Sequence, residues 1–206
     1  FAVKGLMQSA NEVGGDFYDF FERSDGRLVF VIADVSGKGV PAAFFMAISR
    51  TLLKAIALFE NDPAACVRQL NDLLVVDNDQ MMFVTLVFGI FDPATGRIDF
   101  VNAGHASPIR VADRGQVTIL PETTDMAVAV DTTDFSSHSL QLDAGDMFVL
   151  YTDGVTEAFS PEGEAFGELR LGETLEKLPA GGDPGEVARG VLSAVKSFEN
   201  GGHQSD

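Results

Sequence analysis

Four aspartates of this chain stand where they could bind a cation. Asp34 follows the apolar run Phe30–Ala33, and Asp153 follows a similar apolar run, MFVLYT. Each is followed by small or turn-forming residues, in the segments VSGKG and GVTE. Asp16 lies at the start of another predicted strand, in VGGDFYD, and Asp206 closes the segment GGHQSD. Aspartates are common at turns, so any one of them alone is weak evidence for a site.

The similar contexts of Asp34 and Asp153 favour a metal site. If the two strand ends converge, the carboxylates repel each other and lose solvation, and a divalent cation compensates both costs. Oxygen ligands select hard ions, Mg²⁺ or Mn²⁺, over Zn²⁺. A zinc site is not favoured, because the chain has one cysteine and its histidines lie in three separate segments, at His105, His138 and His203.

The glycine-rich segment after Asp34 could instead be a phosphate-binding loop. That loop requires G-x-x-x-x-G-K-[ST]. Here Ala33 occupies the first glycine position, and Gly39 follows Lys38 where Ser or Thr is required. A dinucleotide fingerprint also fails, because the third glycine is missing at its spacing. The metal interpretation is therefore favoured for Asp34.

Composition limits the classes of function. The 206 residues suit a single domain, 1–206, and the net charge of −17 argues against binding to nucleic acid or to an anionic membrane. The longest apolar run, Met81–Phe91, is too short for a membrane-spanning helix, and no signal peptide is visible. The single cysteine, Cys66, indicates a reducing compartment, so we expect a cytoplasmic protein. The ends of the sequence lead us to expect a piece of a longer protein.

Hydrophobic periodicity predicts a chain of strands with clustered helices. The predicted strands are 15–22, 27–33, 82–92, 97–103, 107–112, 116–120, 136–142 and 147–152. The predicted helices are about 40–60, 63–77, 168–178 and 184–199. Long antiparallel runs with clustered helices indicate the α+β class. Two packed antiparallel sheets with helices outside them would bury the apolar faces of the strands.

The apolar residues of the predicted helix 40–60 recur at three- and four-residue steps. This spacing predicts a buried face made of Val40, Phe44, Ile48, Thr51, Leu52, Ala55 and Phe59. Phe45, Met46 and Leu53 fall outside this face. They could pack under a neighbouring helix, or form a docking surface for a regulatory domain or for a second subunit of a homodimer.

Six segments, in order, resemble one known family. They are VGGDFYDFF, ADVSGKGVPAA, MFVTLVFGIFD, VNAGHASP, LYTDGVTEAF and FGELRL. Together they resemble the stage II sporulation protein E / RsbU branch of the metal-dependent (PPM-type) serine/threonine phosphatases, over essentially the whole chain. The resemblance implies an α-β-β-α sandwich of two antiparallel sheets flanked by helices.

The resemblance also implies a site with two Mn²⁺ or Mg²⁺ ions. Asp34 would bridge both ions, and the carbonyl of Val35 would be a further ligand. Asp153 and Asp206 would hold the second ion, and Asp16 would contact a metal directly or through water. Catalysis would then depend on Asp16, Asp34 and Asp153, with a metal-activated water attacking the phosphorus atom.

The substrate implied by the resemblance is phosphoserine on an anti-sigma-factor antagonist protein. A receiver or sensor domain would precede this segment in the full-length chain, and the last strand, after Asp206, would be truncated. Two alternatives stay open. One is a catalytically silent binding module of the same fold. The other is a two-metal phosphodiester hydrolase, which the charge of −17 disfavours for nucleic-acid substrates.

Five further residues are placed around the predicted site. Gly15 and Gly154 flank two of the aspartates. Lys38 could steer a phosphate or simply be exposed, and His105 could donate a proton to the leaving oxygen or be a structural turn residue. Glu157, one helical turn after Asp153, could help to hold a third ion or be solvated.

One segment and one single residue depart from the family pattern. In Met126–Asp134, alanines replace the usual proline and glycine, so the local turn could differ. Asn11 stands where the family often has a basic residue. The sequence therefore identifies no arginine that would hold the phosphate.

Overall fold

The computed structural model describes residues 1–8, 14–76, 78–122, 125–179 and 181–201. The chain divides into two compact units. We call Met7–His105 with Glu122–Gln141 the five-stranded unit, and Phe1–Leu6, Ala106–Pro121 and Leu142–Asp206 the three-stranded unit. Each is described by itself.

The five-stranded unit consists of one antiparallel sheet and two helices. Its elements in the described residues are β1 (Phe17–Glu22), β2 (Leu28–Val35), α1 (Gly39–Ala57), α2 (Pro63–Val75), β3 (Val84–Asp92), β4 (Arg97–Ala103) and β7 (His138–Gln141). The strand order is β1-β2-β3-β4-β7. The central strands β2 and β3 are the most buried, as expected for long runs of β-branched and aromatic residues.

One face of the five-stranded sheet forms a core with α1 and α2. Val31 and Phe88 of the sheet belong to the same buried cluster as Leu53 of α1 and Leu70 of α2. The helix α2 begins at Pro63, and the side chain of Asp62 accepts a hydrogen bond from the N–H of Ala64. This combination of an N-cap aspartate and a first-turn proline is favourable for helix initiation.

The predicted buried face of α1 is wrong except at Leu52, which is half-buried against the core. Its buried residues are Ala42, Ser49, Leu53 and Ala57, whereas Val40, Phe44, Ile48 and Phe59 are 62%, 67%, 49% and 85% exposed. Three of the four buried residues are small, so the helix can lie close to the sheet.

The three residues that we placed outside the predicted face pack inward. Leu53 is buried, and Phe45 and Met46 are half-buried against the core. Packing, rather than docking of a partner, therefore accounts for them. By its length of 19 residues and its mean hydropathy of 1.4, α1 could also span a membrane. One such helix is weak evidence, because core helices share these properties.

The described residues of the three-stranded unit form an antiparallel sheet and three helices. Its elements are β5 (Ile109–Val111), β6 (Val117–Ile119), β8 (Met147–Val149), α3 (Asp153–Thr156), α4 (Gly167–Lys177) and α5 (Pro184–Glu199), and the strand order is β6-β5-β8. Its buried core includes Ile109, Leu171 and Val187. The side chain of Asp183 accepts a hydrogen bond from the N–H of Gly185 and caps α5.

The predicted fold class is confirmed: the chain has two antiparallel sheets with flanking helices. All eight predicted strands and all four predicted helices are present in the described residues, most with boundaries shifted by one to three residues. The strand β2 does not end at residue 33, since it continues through Asp34 to Val35. The short helix α3 is an additional element.

Candidate metal centre

The register of the five-stranded sheet places Asp16 and Asp34 side by side. Phe17 of β1 is opposite Ala33 of β2, and continuing this register by one pair puts Asp16 opposite Asp34. On its other side Asp34 is paired with Thr85 of β3. Residues opposite each other in a sheet share a face. The three side chains therefore form one row across the end of the sheet, which we call the carboxylate row, and all three are half-buried.

The backbone at Gly15 lies close to the Val35 carbonyl at the same end of the sheet. The N–H of Ser36 donates to the carbonyl of Phe83, so by alternation the carbonyl of Val35 points the other way, toward β1. Gly15 is buried there, and a Cβ on Gly15 would lie 2.6 Å from the Val35 oxygen. Only glycine fits this position. It allows the backbone before β1 to lie against the Val35 carbonyl at this end of the sheet.

This donor set fits a hard divalent cation. Like charges directly opposite each other on neighbouring strands are destabilising, and a cation between Asp16 and Asp34 would remove that cost. Two carboxylates and a carbonyl are oxygen donors of the type that Mg²⁺ and Mn²⁺ prefer. Within the described residues no group of three or more Asp, Glu, His or Cys side chains could hold a metal ion. The set therefore needs the Val35 carbonyl, water or a further carboxylate.

Asp153, another predicted ligand, belongs to the three-stranded unit. Asp153 is the first residue of α3, and its carbonyl accepts a hydrogen bond of 2.7 Å from the N–H of Glu157. The helical turn expected for DGVTEA is therefore formed, and Asp153, Gly154 and Glu157 are exposed. Asp206 lies outside the described residues. That these residues share ions with Asp34 stays a prediction.

His105 is held next to the carboxylate row. Its ring Nδ1 lies 2.9 Å from the hydroxyl oxygen of Thr85. The buried Asn102 side chain accepts from the N–H of His105 at 2.8 Å and donates to its carbonyl at 3.0 Å. Sequence reasoning missed Thr85 and Asn102, because their roles depend on strand register and on the turn after β4.

Lys38 immediately precedes α1 in extended backbone conformation, with φ −145° and ψ 157°. It is exposed, and it forms no ion pair with another residue of the described part of the chain. Both interpretations of Lys38, a phosphate-steering cation and a solvated side chain, are compatible with this position. Asn11 lies outside the described residues.

Solved structures place the fold among the PP2C-type phosphatase domains. The PP2C phosphatase domain of SpoIIE from Bacillus subtilis, solved with a fragment of its regulatory domain, superposes with a TM-score of 0.78 at 23% identity, covering 95% of this chain and 55% of that one. The SiaA-PP2C domain of Pseudomonas aeruginosa gives a TM-score of 0.76 at 25% identity, covering 94% of this chain and 77% of that one.

The chain belongs to the stage II sporulation protein E (SpoIIE) family, whose family model matches residues 24–206. It is 34% identical over 200 residues to protein IcfG of Synechocystis, covering 84% of this chain and 32% of that protein. It is 26% identical over 162 residues to phosphoserine phosphatase RsbU of Bacillus subtilis, covering 78% of this chain and 48% of RsbU. The chain thus spans between about a third and a half of these curated relatives.

Proposed function

We propose that this chain is the catalytic domain of a Mn²⁺- or Mg²⁺-dependent serine/threonine protein phosphatase. The observation that carries the proposal is the carboxylate row: Asp34 is paired with Thr85, and the β1–β2 register extended by one pair sets Asp16 opposite Asp34. The close approach of Gly15 to the Val35 carbonyl lies at the same end of the sheet. Membership of a family that includes the phosphoserine phosphatases RsbU and RsbP supports it.

In this proposal Asp34 would serve both ions, Val35, Asp153 and Asp206 would be the other ligands, and Asp16 would contact an ion directly or through water. When bound, such ions lower the pKa of a coordinated water to near neutrality and neutralise charge on the phosphoryl group. The protein's own part is to fix these oxygens. Asp34 is held by its pairing with Thr85 of β3, and Gly15 leaves room for the Val35 carbonyl.

The proposed substrate is phosphoserine on a regulatory protein of the anti-sigma-factor antagonist type. The support is the resemblance to RsbU and to the structure of the RsbU and RsbW domains of Rv1364c from Mycobacterium tuberculosis, which superposes with a TM-score of 0.66 at 27% identity. Because this chain matches only part of its relatives, we also propose that a receiver or sensor domain precedes it in a longer cytoplasmic protein. A homodimer is a further proposal.

The test is hydrolysis of a phosphoserine peptide and of p-nitrophenyl phosphate by the purified chain, with Mn²⁺, with Mg²⁺ and with chelator. We expect turnover with metal, none with chelator, and loss of turnover in Asp34→Asn with an unchanged circular dichroism spectrum. Metal binding without turnover of either compound would instead support the catalytically silent module. Near-normal activity of a well-folded Asp34→Asn protein would overturn the assignment of the site.

A further inference from the structure

The contact between Thr85 and His105 is the best-defined polar interaction beside the carboxylate row. Thr85 lies on β3, its backbone is paired with Asp34, and its side chain is on the same face as the Asp34 carboxylate. The hydroxyl oxygen lies 2.9 Å from Nδ1 of the His105 ring. A hydrogen bond thus links the His105 imidazole to β3, which is adjacent to β2, the strand that carries the proposed metal ligand Asp34.

The backbone of His105 is fixed independently of its ring. Asn102, which is 1% exposed, bonds both the N–H and the carbonyl of His105 through its side-chain amide. Gly104 has φ +68°, and a Cβ there would lie 3.1 Å from the N atom of Ala127. The turn therefore requires a left-handed conformation in a space where a side chain would be crowded. The Thr85 hydroxyl then restricts the rotation of the ring.

We propose that Thr85 is a positioning residue for His105. Its hydroxyl donates to Nδ1, so the ring hydrogen resides on Nε2, and Nε2–H donates a hydrogen bond to the phosphate group of the substrate. The hydrogen bond at one ring nitrogen sets which nitrogen carries the hydrogen. This inference rests on the proposed phosphatase function and adds a named substrate contact to it.

The chemistry of the site favours such a neutral donor. Phosphate oxygens accept hydrogen bonds, and the donor in the carboxylate row, the Thr85 hydroxyl, is engaged with Nδ1 of His105. The sequence has Asn11 where a basic residue is often found in the family. A neutral imidazole with its hydrogen on Nε2 supplies a donor without placing another charge next to the proposed ions.

The tautomer can be measured directly by long-range ¹H–¹⁵N spectroscopy of the imidazole rings. The chain has three histidines, and His105→Asn identifies the His105 signals. We expect the Nε2–H tautomer in the wild type, a mixture in Thr85→Val, and the wild-type pattern in Thr85→Ser. Thr118→Val is the matched control, because Thr118 is an exposed strand threonine on β6. An Nδ1–H tautomer in the wild type, or an unchanged ring in Thr85→Val, would overturn the proposal.

The contact with phosphate is tested on the same samples with Mg²⁺ and inorganic phosphate. We expect phosphate to shift the His105 Nε2–H signal in the wild type and in Thr118→Val but not in Thr85→Val. The absence of this shift in the wild type would also overturn the proposal. These spectra need no turnover. A wild type that shows the shift but hydrolyses no phosphoserine peptide would refute the proposed function and leave the positioning role standing.

Kinetics provide the last test, if the chain is active. Outer contacts that orient active-site groups typically contribute about 10–100-fold, so we expect Thr85→Val to lower kcat/KM by about tenfold or more. Thr85→Ser should restore most of this loss. In the double variant with His105→Asn, Thr85→Val should have no further effect, because both changes remove the same contact. Additive losses in the double variant would contradict the proposal.

Discussion

The two carboxylates with similar sequence contexts, Asp34 and Asp153, are held in very different ways. Asp34 lies within an eight-residue strand, where it is paired with Thr85 of β3 and follows Ala33, which is paired with both β1 and β3. Asp153 starts a four-residue helix, is exposed, and is ordered by one helical turn. A carboxylate on a paired strand inside a sheet is pre-organised, whereas one on a short turn can move. If both bind metal, the first should define the site and the second should adjust to it.

The sharpest test of this difference is a pair of matched substitutions. Removing groups that only orient metal ligands costs about 10–100-fold, so we expect Asp34→Asn to lower kcat by about a hundredfold or more at any Mn²⁺ concentration. Asp153→Asn should raise the Mn²⁺ concentration required for half-maximal activity and regain much of its kcat when Mn²⁺ is in excess.

Steady-state assays across a Mn²⁺ titration measure both effects. Thermal unfolding without metal serves as the folding control for the two variants. Equal losses that excess Mn²⁺ does not repair would show that the two carboxylates are equally fixed, and would remove the distinction drawn here.

The second prediction concerns the close contact between Gly15 and the Val35 carbonyl, near Asp34. In Gly15→Ala the new methyl would lie 2.6 Å from the Val35 oxygen, so the carbonyl must move. We expect the affinity for Mn²⁺ to fall by about tenfold, the lower end of the range for lost support of a metal site. Isothermal titration with Mn²⁺ measures it. Gly14→Ala is the control, because a Cβ on Gly14 has no neighbour within 4 Å. Unchanged affinity in Gly15→Ala would argue against Val35 as a ligand.

The third prediction compares packing in the two units. A Cβ on Gly89 of β3 would lie 2.4 Å from Phe30 Cζ and 2.9 Å from Phe100 Cβ. Overpacking of this kind costs about 1–3 kcal/mol, so Gly89→Ala should lower the free energy of unfolding by that amount. Gly172 lies inside α4, where a Cβ would be 3.9 Å from Val117. There alanine should stabilise the protein by about 0.5–1 kcal/mol. Urea unfolding of both variants measures the difference, and a loss in Gly172→Ala would contradict it.

Sequence alone predicted the strands and helices well but failed on the orientation of α1. Alternation and turn residues define strands locally, which is why β3 and β4 were predicted to within two residues. The helix α1 has apolar residues on nearly every side, so periodicity cannot choose its buried face. The choice depends on tertiary packing: Ala42 and Ala57 let the helix approach the sheet, so that Phe45 packs against the core and Phe44 is left outside.

Those residues of the candidate site that can be recognised from their immediate sequence neighbours were predictable. Asp34 was identified from its position at the end of an apolar run. Its neighbour Thr85 was not, because their pairing joins residues 51 positions apart through the β2–β3 register. The role of Gly15 depends in the same way on its closeness to Val35 across two strands. Pattern reasoning predicts the elements, and register decides which side chains meet.

The last prediction concerns a carboxylate of the three-stranded unit outside the proposed site. The Asp146 side chain is 3% exposed, lies 2.9 Å from Nε of Arg110, and accepts from the N–H groups of Asp113 and Asp143. Burial alone would raise the pKa of Asp146. The hydrogen bonds from Arg110 and from the two N–H groups outweigh burial, so the pKa lies below its ordinary value.

The depressed pKa fixes the sign of the pH dependence. The stabilisation is fully present above the pKa of the unfolded carboxyl, about 3.9, and is lost as the pH falls through the lower folded value. Asp146→Asn should therefore lower the free energy of unfolding by about 1–2 kcal/mol at pH 7, and its difference from the wild type should shrink below about pH 4. Asp143→Asn is the control, since that carboxylate is 81% exposed and 3.5 Å from Arg110. It should have little effect. A pH-independent difference for Asp146→Asn would show that shape, rather than charge, makes this contact stabilising.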